Sequence, residues 1–325
     1  MKPARILIIT NRLDSHADHL VELLHERHAE VFRFNTEDLL SQHTVTWQPG
    51  GHGVLSNSYH QVALDEVTAV WYRKPNDYTL PPDLMEFEKF LREELRAVVG
   101  GMYRTMSGVL WVNPIDTQRR ASYKLLQLDT AMRVGLEIPA TIVTNSPATA
   151  ADFAEKHGRE GIAIKTVGSG LVHLPPGYTI FTNRVESSAL QCKEKVECFP
   201  QLFQAYVPKE LELRVTVVGQ QIFVCEMETQ ASPLAASRVD WRRYDLENVP
   251  YRPGVLPAEV EKGLRLLMSE LGLQYGAVDM IRTPKGRYVF LEVNPSGQWL
   301  WVEEKTGLRI SAALADLLTS GLAGQ

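Results

Sequence analysis

The chain has 325 residues, 44% of them hydrophobic and 22% charged, which is the composition of a globular protein with room for two or three compact units. Its net charge of -5 and isoelectric point near 6.0 argue against a broad nucleic-acid-binding surface. No apolar run approaches the roughly 18–20 residues of a membrane span, so no membrane association is expected.

The cysteines and the N-terminus indicate where the protein works. Cys192, Cys198 and Cys225 have no CxxC spacing, which favours reduced thiols over a zinc site. The first residues, MKPARILIITNRLDS, have too short an apolar core for a signal peptide and predict a strand instead. We therefore expect a cytoplasmic protein.

The N-terminal part predicts an α/β unit with a mainly parallel sheet. Residues 5–10 form a β-branched apolar run, Asp14 or Ser15 can cap a helix after it, and residues 31–34 and 67–72 predict further strands. The turn after the first strand contains no glycine. A GxGxxG dinucleotide fingerprint is therefore absent, and a dehydrogenase is disfavoured.

A long helix is predicted after Pro81-Pro82. Its apolar residues recur at spacings of three and four, which is typical of a stripe that packs into a core. The stripe consists of Leu84, Phe87, Leu91, Leu95, Val98 and Met102. Further helices are predicted near residues 119–134, 146–158 and 257–271 and from about residue 311. Strands are predicted at 140–144, 161–167, 201–207, 211–218 and 221–227.

The most informative segment runs from residue 275 to 297, YGAVDMIRTPKGRYVFLEVNPSG. It predicts two strands around a Pro-Lys-Gly turn. Glu292 and Asn294 share a face of the second strand, and Asp279 can face them across the ladder. Carboxylates among apolar neighbours are costly to bury unless a cation holds them, and oxygen ligands without His or Cys suit Mg²⁺ that bridges nucleotide phosphates. The alternative is an ordinary amphipathic hairpin with its polar residues in water.

Two lysines are candidates for nucleotide binding. Lys165 ends an apolar strand just before the turn Gly168-Ser169-Gly170, where backbone N–H groups could approach a phosphate. The alternative for Lys165 is a lysine at a strand edge that extends its charged end into water. Lys124 lies on a predicted helix and, taken alone, is an exposed helix lysine.

A proline interrupts the apolar stretch at residues 203–208, FQAYVP, where free backbone groups could pair with an adenine edge. Glu212, five residues beyond Val207, could accept from ribose hydroxyls. A plain edge strand explains the stretch equally well.

Three arginines are candidates for binding a carboxylate or a phosphate. Arg214 lies in a predicted strand, Arg242 in the segment VDWRR, and Arg73 at the end of a strand, where open α/β sheets place ligand contacts. A structural ion pair is the alternative for Arg214, and a surface loop charge for Arg242.

The order of these features resembles the ATP-grasp superfamily over roughly residues 115–300. The resemblance implies an α/β (α+β) fold with an N-terminal parallel-sheet pre-ATP-grasp domain at 1–115, a small central domain at 116–200 and a C-terminal antiparallel-sheet domain at 201–325. It implies ATP and Mg²⁺ as cofactors and a lid near residues 168–198. The site residues implied are Asp279, Glu292 and Asn294 for Mg²⁺, Lys124 and Lys165 for phosphates, Gln204, Ala205, Tyr206 and Val207 for adenine, and Glu212 for ribose. Beside these we expect Ser169 to contact the nucleotide, Arg214 and Arg242 to stabilise the transferring phosphoryl group, and Arg73 to orient the substrate carboxylate.

A narrower resemblance covers nearly the whole chain. The segments RFNTEDL, AVWYRK, LELRVTVVGQQIF, VDWR, YGAVDMI and FLEVNPSGQWLWVEEKTGL are similar to those of microviridin-type graspetide ligases. This resemblance implies a homodimer that binds the leader and core of a ribosomally made precursor peptide. Such a ligase activates Asp or Glu side chains as acyl phosphates and joins them to Thr or Ser hydroxyls or to Lys amines.

Two other functions remain open from the sequence. One is an ATP-grasp ligase that adds a free amino acid to a small molecule or a protein C-terminus. The other is a nucleotide-binding module without turnover, which would not require the complete set of metal ligands.

Overall fold

The computed structural model describes residues 3–50, 52–168, 171–172, 178–179, 181–234, 238–241 and 247–320. The chain forms two compact units, which are Met1–Asp116 with Gln298–Leu300 and Arg309–Gln325, and Thr117–Gly297 with Trp301–Leu308. Within the described ranges, no helix is both long and apolar enough to cross a membrane.

The elements follow the chain in this order. The strands are β1 Arg5–Thr10, β2 Glu30–Asn35, β3 Thr44–Gln48, β4 His52–Ser56, β5 Gln61–Ala63, β6 Ala69–Tyr72, β7 Leu110–Val112, β8 Thr141–Thr144, β9 Ile162–Lys165, β10 Leu171–Val172, β11 Tyr178–Thr179, β12 Asn183–Val185, β13 Gln201–Ala205, β14 Leu211–Val218, β15 Gln221–Met227, β16 Tyr251–Pro253, β17 Tyr275–Arg282 and β18 Tyr288–Asn294. The helices are α1 Ser15–Glu26, α2 Leu39–Gln42, α3 Glu88–Arg104, α4 Ile115–Ala121, α5 Lys124–Arg133, α6 Pro147–His157, α7 Lys193–Glu197, α8 Ala258–Leu271, α9 Leu300–Thr306 and α10 Ile310–Ser320.

The first unit is built on the predicted parallel sheet, in the order β2-β1-β6-β7. Its central strand β1 is buried along its apolar run, because the strands of a parallel sheet are covered on both faces. Asp14 caps α1 as predicted, since its carboxylate accepts from the backbone N–H of His16. The last helix, α10, contacts α1 and β6, so the C-terminal end of the chain returns to the first unit.

The core stripe predicted for α3 is wrong at two positions. Phe87, next to the helix, is 52% exposed and Val98 is 54% exposed, whereas Val99, Met102 and Tyr103 are buried. The helix has apolar residues on more than one face, and the sheet can cover only one of them. Spacing alone did not show which face turns inward.

The second unit contains a four-stranded antiparallel sheet in the order β12-β9-β13-β8. Phe203 in β13 pairs with Ile142 and Ile164 on the two flanking strands and is buried in a small core with Phe153 of α6. Helix α6 begins close to its predicted start, and Ser146 caps it, because the Ser146 hydroxyl accepts from the backbone N–H of Thr149. This sheet holds Lys165 at the end of β9.

A five-stranded antiparallel sheet, β16-β15-β14-β17-β18, carries the predicted hairpin. In β14, Leu213, Val215 and Val217 join the large apolar core of this unit, and α5 and α8 contribute to that core. Because side chains alternate along a strand, Arg214 and its neighbours at 212 and 216 lie on the opposite face. That face carries the polar residues described next.

Candidate functional site

One row of residues crosses the polar face of the five-stranded sheet. Arg214 on β14 is paired in register with Asp279 on β17, which is paired in turn with Glu292 on β18. Directly paired residues share a face, so the three side chains lie side by side. Asn294, two residues after Glu292, lies on the same face opposite Ala277. The predicted geometry of the hairpin is therefore present.

Arg214 and Asp279 form a buried ion pair. Arg214 Nη1 donates to Asp279 Oδ1 at 2.8 Å. The guanidinium carbon also lies 5.7 Å from the ring centroid of Trp241, within the range of a cation–π interaction. The ion pair that the sequence analysis gave as the alternative for Arg214 is thus present. Its acid, Asp279, is also one of the predicted metal ligands.

Lys124 is held against the second carboxylate of the row. Its Nζ lies 3.0 Å from Glu292 Oε2 and donates to the carbonyl of Thr166 at 2.9 Å. The helix predicted over 119–134 is interrupted before Lys124, which opens α5 as its first residue. Lys124 is therefore not an ordinary exposed helix lysine, because it bridges α5, the end of β9 and β18.

A tight turn follows Asn294 and approaches the row. Asn294 Oδ1 accepts from the backbone N–H of Ser296 at 2.9 Å, and the Tyr275 hydroxyl donates to the carbonyl of Gly297 at 2.8 Å. A Cβ on Gly297 would lie 2.2 Å from Ala277 Cβ and 2.9 Å from Arg214 Nη2. Only glycine fits this close approach beside the guanidinium.

One pocket is lined both by residues of this row and by the residues predicted to bind the nucleotide. Its lining residues are Pro139, Ala163, Lys165, Thr182, Gln204, Ala205, Tyr206, Val207, Lys209, Glu212, Val239, Asp240, Trp241, Asp279, Ile281, Leu291 and Glu292. Lys165, Glu212 and the stretch 204–207 therefore face the same cavity as two of the predicted metal ligands. The functional roles of these residues stay predictions.

The stretch 204–207 differs in detail from the sequence-based expectation. The N–H groups of Ala205 and Tyr206 already donate to the carbonyls of Ala140 and Gly161, at 2.9 and 3.0 Å. These two amides are thus engaged within the chain. The side chain of Gln204 donates to the Thr141 hydroxyl, while its buried Oε1 has no hydrogen-bond partner among the described residues.

Glu212 lies at the wall of the pocket in a buried polar cluster. Burial raises its pKa, and the ammonium of Lys209, which donates to the carboxylate, opposes that change. Thr229 Oγ1 donates to the same carboxylate oxygen at 3.3 Å, and Lys209 also reaches the carbonyl of Val239 at 2.9 Å. Lys209 was not identified from the sequence. Its position three residues before Glu212 could have indicated that the two side chains form an ion pair.

Arg73 belongs to the first unit. It follows β6 and is buried, and its guanidinium carbon lies beside two indole rings, 5.9 Å from the Trp71 centroid and 5.4 Å from the Trp299 centroid. Its Nε is 3.8 Å from Asp14 Oδ2. The position at the carboxyl end of a parallel strand agrees with the prediction, and its proposed role is untested.

Two predicted site residues, Ser169 and Arg242, lie outside the described residues. The same holds for part of the predicted lid at 168–198. Its described part includes β12, which pairs with β9, and Thr182, whose backbone N–H donates to Asp240 Oδ2 at 3.0 Å.

The donor chemistry of the row fits a hard divalent cation. The described residues contain no group of three or more His, Cys, Asp or Glu side chains that could hold a metal ion. The oxygen donors of the row that could hold such a cation are Asp279, Glu292 and the amide oxygen of Asn294, with water and phosphate oxygens as further ligands. This is the ligand set that Mg²⁺ uses with nucleotides, and it differs from the nitrogen and sulfur sites of zinc.

Comparison with known proteins identifies relatives that match almost the full length of this chain. The family model described as the MvdD pre-ATP grasp domain matches residues 5–119. Macrocyclase MdnC from Microcystis aeruginosa MRC, solved bound with precursor peptide MdnA, is 34% identical with a TM-score of 0.83, over 96% of this chain and 98% of that chain. Macrocyclase MdnB from the same organism is 31% identical with a TM-score of 0.78, over 97% and 99%.

A third structure is the RiPP-associated ATP-grasp ligase of Chryseobacterium gregarium, solved with ADP and a leader and core peptide. It is 29% identical with a TM-score of 0.86, over 97% of this chain and 96% of that chain. A search of the curated proteins finds no match. Since two macrocyclases share at least 31% identity over nearly their whole length, the chain belongs to the family of ATP-grasp macrocyclases.

Proposed function

We propose that this protein is an ATP-dependent ligase that crosslinks a ribosomally made precursor peptide. The proposal rests on one observation, the pocket in which Lys165 and residues 204–207 face the same cavity as Asp279 and Glu292. Phosphoryl transfer needs cationic side chains around the phosphates and a carboxylate set for a metal at one place. That combination supports a site for ATP rather than a structural hairpin.

The nature of the relatives supports a peptide as the second substrate. MdnC was solved with its precursor peptide, and the ligase of Chryseobacterium gregarium with ADP and a leader and core peptide. We therefore propose a precursor peptide with leader and core as the partner. Its Asp or Glu side chains are joined to Thr or Ser hydroxyls or to Lys amines, as macrolactones or macrolactams.

The chemistry has two steps. A carboxylate oxygen of the peptide attacks the γ-phosphorus of ATP, the bond from this phosphorus to the bridging oxygen breaks, and ADP leaves. A hydroxyl or amine of the peptide then attacks the acyl carbon and loses its proton, and inorganic phosphate leaves. The first step brings an anion towards a polyanion, so it requires positive charge placed in advance.

We assign each side chain a part in supplying this positive charge or in orienting the substrate. Lys124 and Lys165, with Ser169, would hold the phosphates that are not transferred, and Arg214 with Arg242 would neutralise the transferring group. Arg73 is proposed to orient the substrate carboxylate. Mg²⁺, held by Asp279, Glu292 and Asn294, would supply Lewis-acid neutralisation of the phosphate oxygens.

Incubation of the protein with ATP, Mg²⁺ and the precursor peptide, followed by intact mass measurement of the peptide, tests the proposal. We expect loss of one water for each crosslink, together with formation of ADP. Glu292→Gln should abolish the loss, because it removes a metal-binding charge with almost no change of shape. Glu259→Gln, at an exposed acid on α8, is the matched control and should react like the wild type.

Two results would reassign the function. Turnover of ATP with free amino acids but an unchanged peptide mass would indicate a ligase for free amino acids. Nucleotide binding with no turnover under any condition would indicate a binding module. A cytoplasmic location, a homodimer and a division into three domains at 1–115, 116–200 and 201–325 stay predictions.

A further inference from the structure

Strand β18 carries two of the predicted metal ligands at the border of its sheet. In the strand order β18 comes last, beside β17, and Glu292 and Asn294 lie on its polar face. The pairing of the two strands is irregular at this point, because the register shifts between Asp279 and Met280 and leaves Leu291 as an extra residue. Such a bulge disrupts the ladder locally. The backbone next to the ligands therefore benefits from a second support on the other side of β18.

Gln127 of helix α5 supplies that support. Its Oε1 accepts from the backbone N–H of Val293 at 2.9 Å, and its Nε2 donates to the carbonyl of Val293 at 2.8 Å. These are the two hydrogen bonds that a neighbouring antiparallel strand makes with one residue, and here a side chain makes them. Val293 lies between Glu292 and Asn294, so the amide of Gln127 holds the backbone that carries both ligand side chains.

The amide of Gln127 has a fixed position. The residue is 2% exposed, and its Nε2 also donates to the carbonyl of Ala121 at 2.6 Å. Both N–H groups of the amide are therefore engaged, and its oxygen accepts from Val293. A buried amide is costly unless its polar atoms find partners, whereas an apolar side chain would fill the same space without that cost. The backbone that Gln127 binds therefore explains why a glutamine lies here.

The same face of α5 also contacts the side chain of the first ligand. Lys124 lies one helical turn before Gln127, and its Nζ is 3.0 Å from Glu292 Oε2. Helix α5 thus binds consecutive residues of β18, one through a charge and one through backbone hydrogen bonds. A cation at Glu292 would share the carboxylate that Lys124 contacts. The hydrogen bonds between Gln127 and Val293 involve no ligand atom, so they can hold the strand with or without a metal.

We propose that Gln127 is a positioning residue of the metal site, which holds Val293 so that Glu292 and Asn294 present their oxygens to one cation. The inference rests on the proposed function, because it takes these two residues as metal ligands. Residues that orient metal ligands from outside the ligand set typically change metal affinity by about 10- to 100-fold when they are replaced. Gln127 should therefore act on nucleotide binding that involves the metal, and not on nucleotide binding without it.

Titration calorimetry of the full chain with ADP, once with Mg²⁺ and once with EDTA, separates these two effects. Gln127→Met keeps nearly the same length and shape but cannot form the hydrogen bonds to Val293. We expect this variant to bind ADP about 10- to 100-fold more weakly with Mg²⁺, and like the wild type in EDTA. The Mg²⁺ concentration for half-maximal crosslinking should rise in parallel, with a smaller change in kcat at saturating Mg²⁺.

Three further variants separate positioning from stability and from phosphate binding. Leu267→Ala opens a cavity in the apolar core of the same unit and should bind ADP like the wild type, although it is less stable. Lys124→Ala removes a charge predicted to bind phosphate and should weaken ADP binding both with Mg²⁺ and in EDTA. Gln127→Asn, whose amide is one carbon shorter, is a milder replacement that should change binding in the same direction as Gln127→Met. Denaturant unfolding of each variant checks the fold.

The outcomes distinguish the failure of this inference from the failure of the proposed function. Gln127→Met that binds ADP like the wild type with Mg²⁺, or that loses affinity equally in EDTA, would overturn the inference alone. The same would follow if Leu267→Ala reproduced the Mg²⁺-specific loss, since stability would then be the cause. Wild-type protein that binds ADP no more tightly with Mg²⁺ than in EDTA would contradict the metal site itself, and with it both the inference and the proposed function.

Discussion

Arg214 and Asp279 lie directly opposite each other on neighbouring antiparallel strands, and the guanidinium donates to the carboxylate at 2.8 Å. Both side chains are buried, and the next residue of the same row is Glu292, which is paired with Lys124. Two cations and two carboxylates thus lie together beside one pocket, with the two carboxylates adjacent in the row and a cation at each end. A buried ion pair stabilises a fold little compared with an apolar pair, so the row is better explained by ligand binding than by stability.

Removal of one member of the central pair should destabilise the protein. Asp279→Ala leaves the Arg214 guanidinium buried without this partner, and we expect a loss of about 3 kcal/mol in the free energy of unfolding, measured by denaturant titration. Asp129→Ala breaks the exposed pair with Arg133 on α5 and should cost no more than about 0.5 kcal/mol. Equal small losses for both variants would show that the buried pair is not needed for folding.

Lys124 should act on ATP affinity more than on stability. Lys124→Ala removes a cation that is 3.0 Å from Glu292, and we expect the KM for ATP to rise about tenfold or more. Lys262→Ala, at an exposed lysine on α8, serves as the control and should leave KM unchanged. Wild-type KM in Lys124→Ala would remove this residue from the nucleotide site.

Gly297 should tolerate no side chain. Gly297→Ala places a Cβ 2.2 Å from Ala277 Cβ and 2.9 Å from Arg214 Nη2, so both the turn and the guanidinium must shift. We expect lower stability and a lower kcat for peptide crosslinking. Adding Ala277→Gly removes the first clash only, so the double variant should regain stability while kcat stays low. Recovery of kcat together with stability would show that Gly297 does not position Arg214.

His16 should make the stability of the first unit depend on pH. Its Nε2 accepts from the backbone N–H of Trp299 at 3.2 Å, and burial, with the charge of Arg73, lowers its pKa from 6.5 to about 4, although Asp14 opposes this. A base with a lowered pKa contributes stability above its unfolded pKa and loses it as pH falls. We therefore expect about 1–3 kcal/mol to be lost between pH 6.5 and about 4.

Thermal or denaturant unfolding at a series of pH values measures this loss. His16→Gln, which keeps an acceptor that does not titrate in this range, should flatten the profile. His60→Gln, at an exposed histidine, should not change it. A wild-type profile without slope between pH 6.5 and 4 would contradict the buried neutral state of His16.

Local sequence signals predicted the parts of the site that lie on one element or one hairpin. The alternation around Glu292 and Asn294, together with the Pro-Lys-Gly turn, was enough to set them opposite β17. Strand pairing between distant segments was not predictable. The pairing of Arg214 with Asp279, 65 residues apart, depends on which strand lies beside which, and this is decided by the packing of the whole sheet.

Other features depended on which surface the rest of the fold covers. The apolar spacing before and within α3 fitted a core stripe, yet Phe87 and Val98 are exposed because the parallel sheet covers only the face of Val99 and Tyr103. Trp299, which stands in no apolar period of its own, is fully buried against His16 and Trp71. Amphipathic patterns locate elements well, but they do not say which of two apolar faces is covered.

The fate of the carboxylate oxygen tests the central claim most directly. With a precursor peptide whose Asp and Glu side chains carry ¹⁸O, the mass of the inorganic phosphate released can be measured during crosslinking by the wild-type protein. Activation as an acyl phosphate predicts one ¹⁸O atom in phosphate for each crosslink formed, and none when Glu292→Gln replaces the wild type. Crosslinked peptide with unlabelled phosphate, or with the label in AMP, would contradict the account.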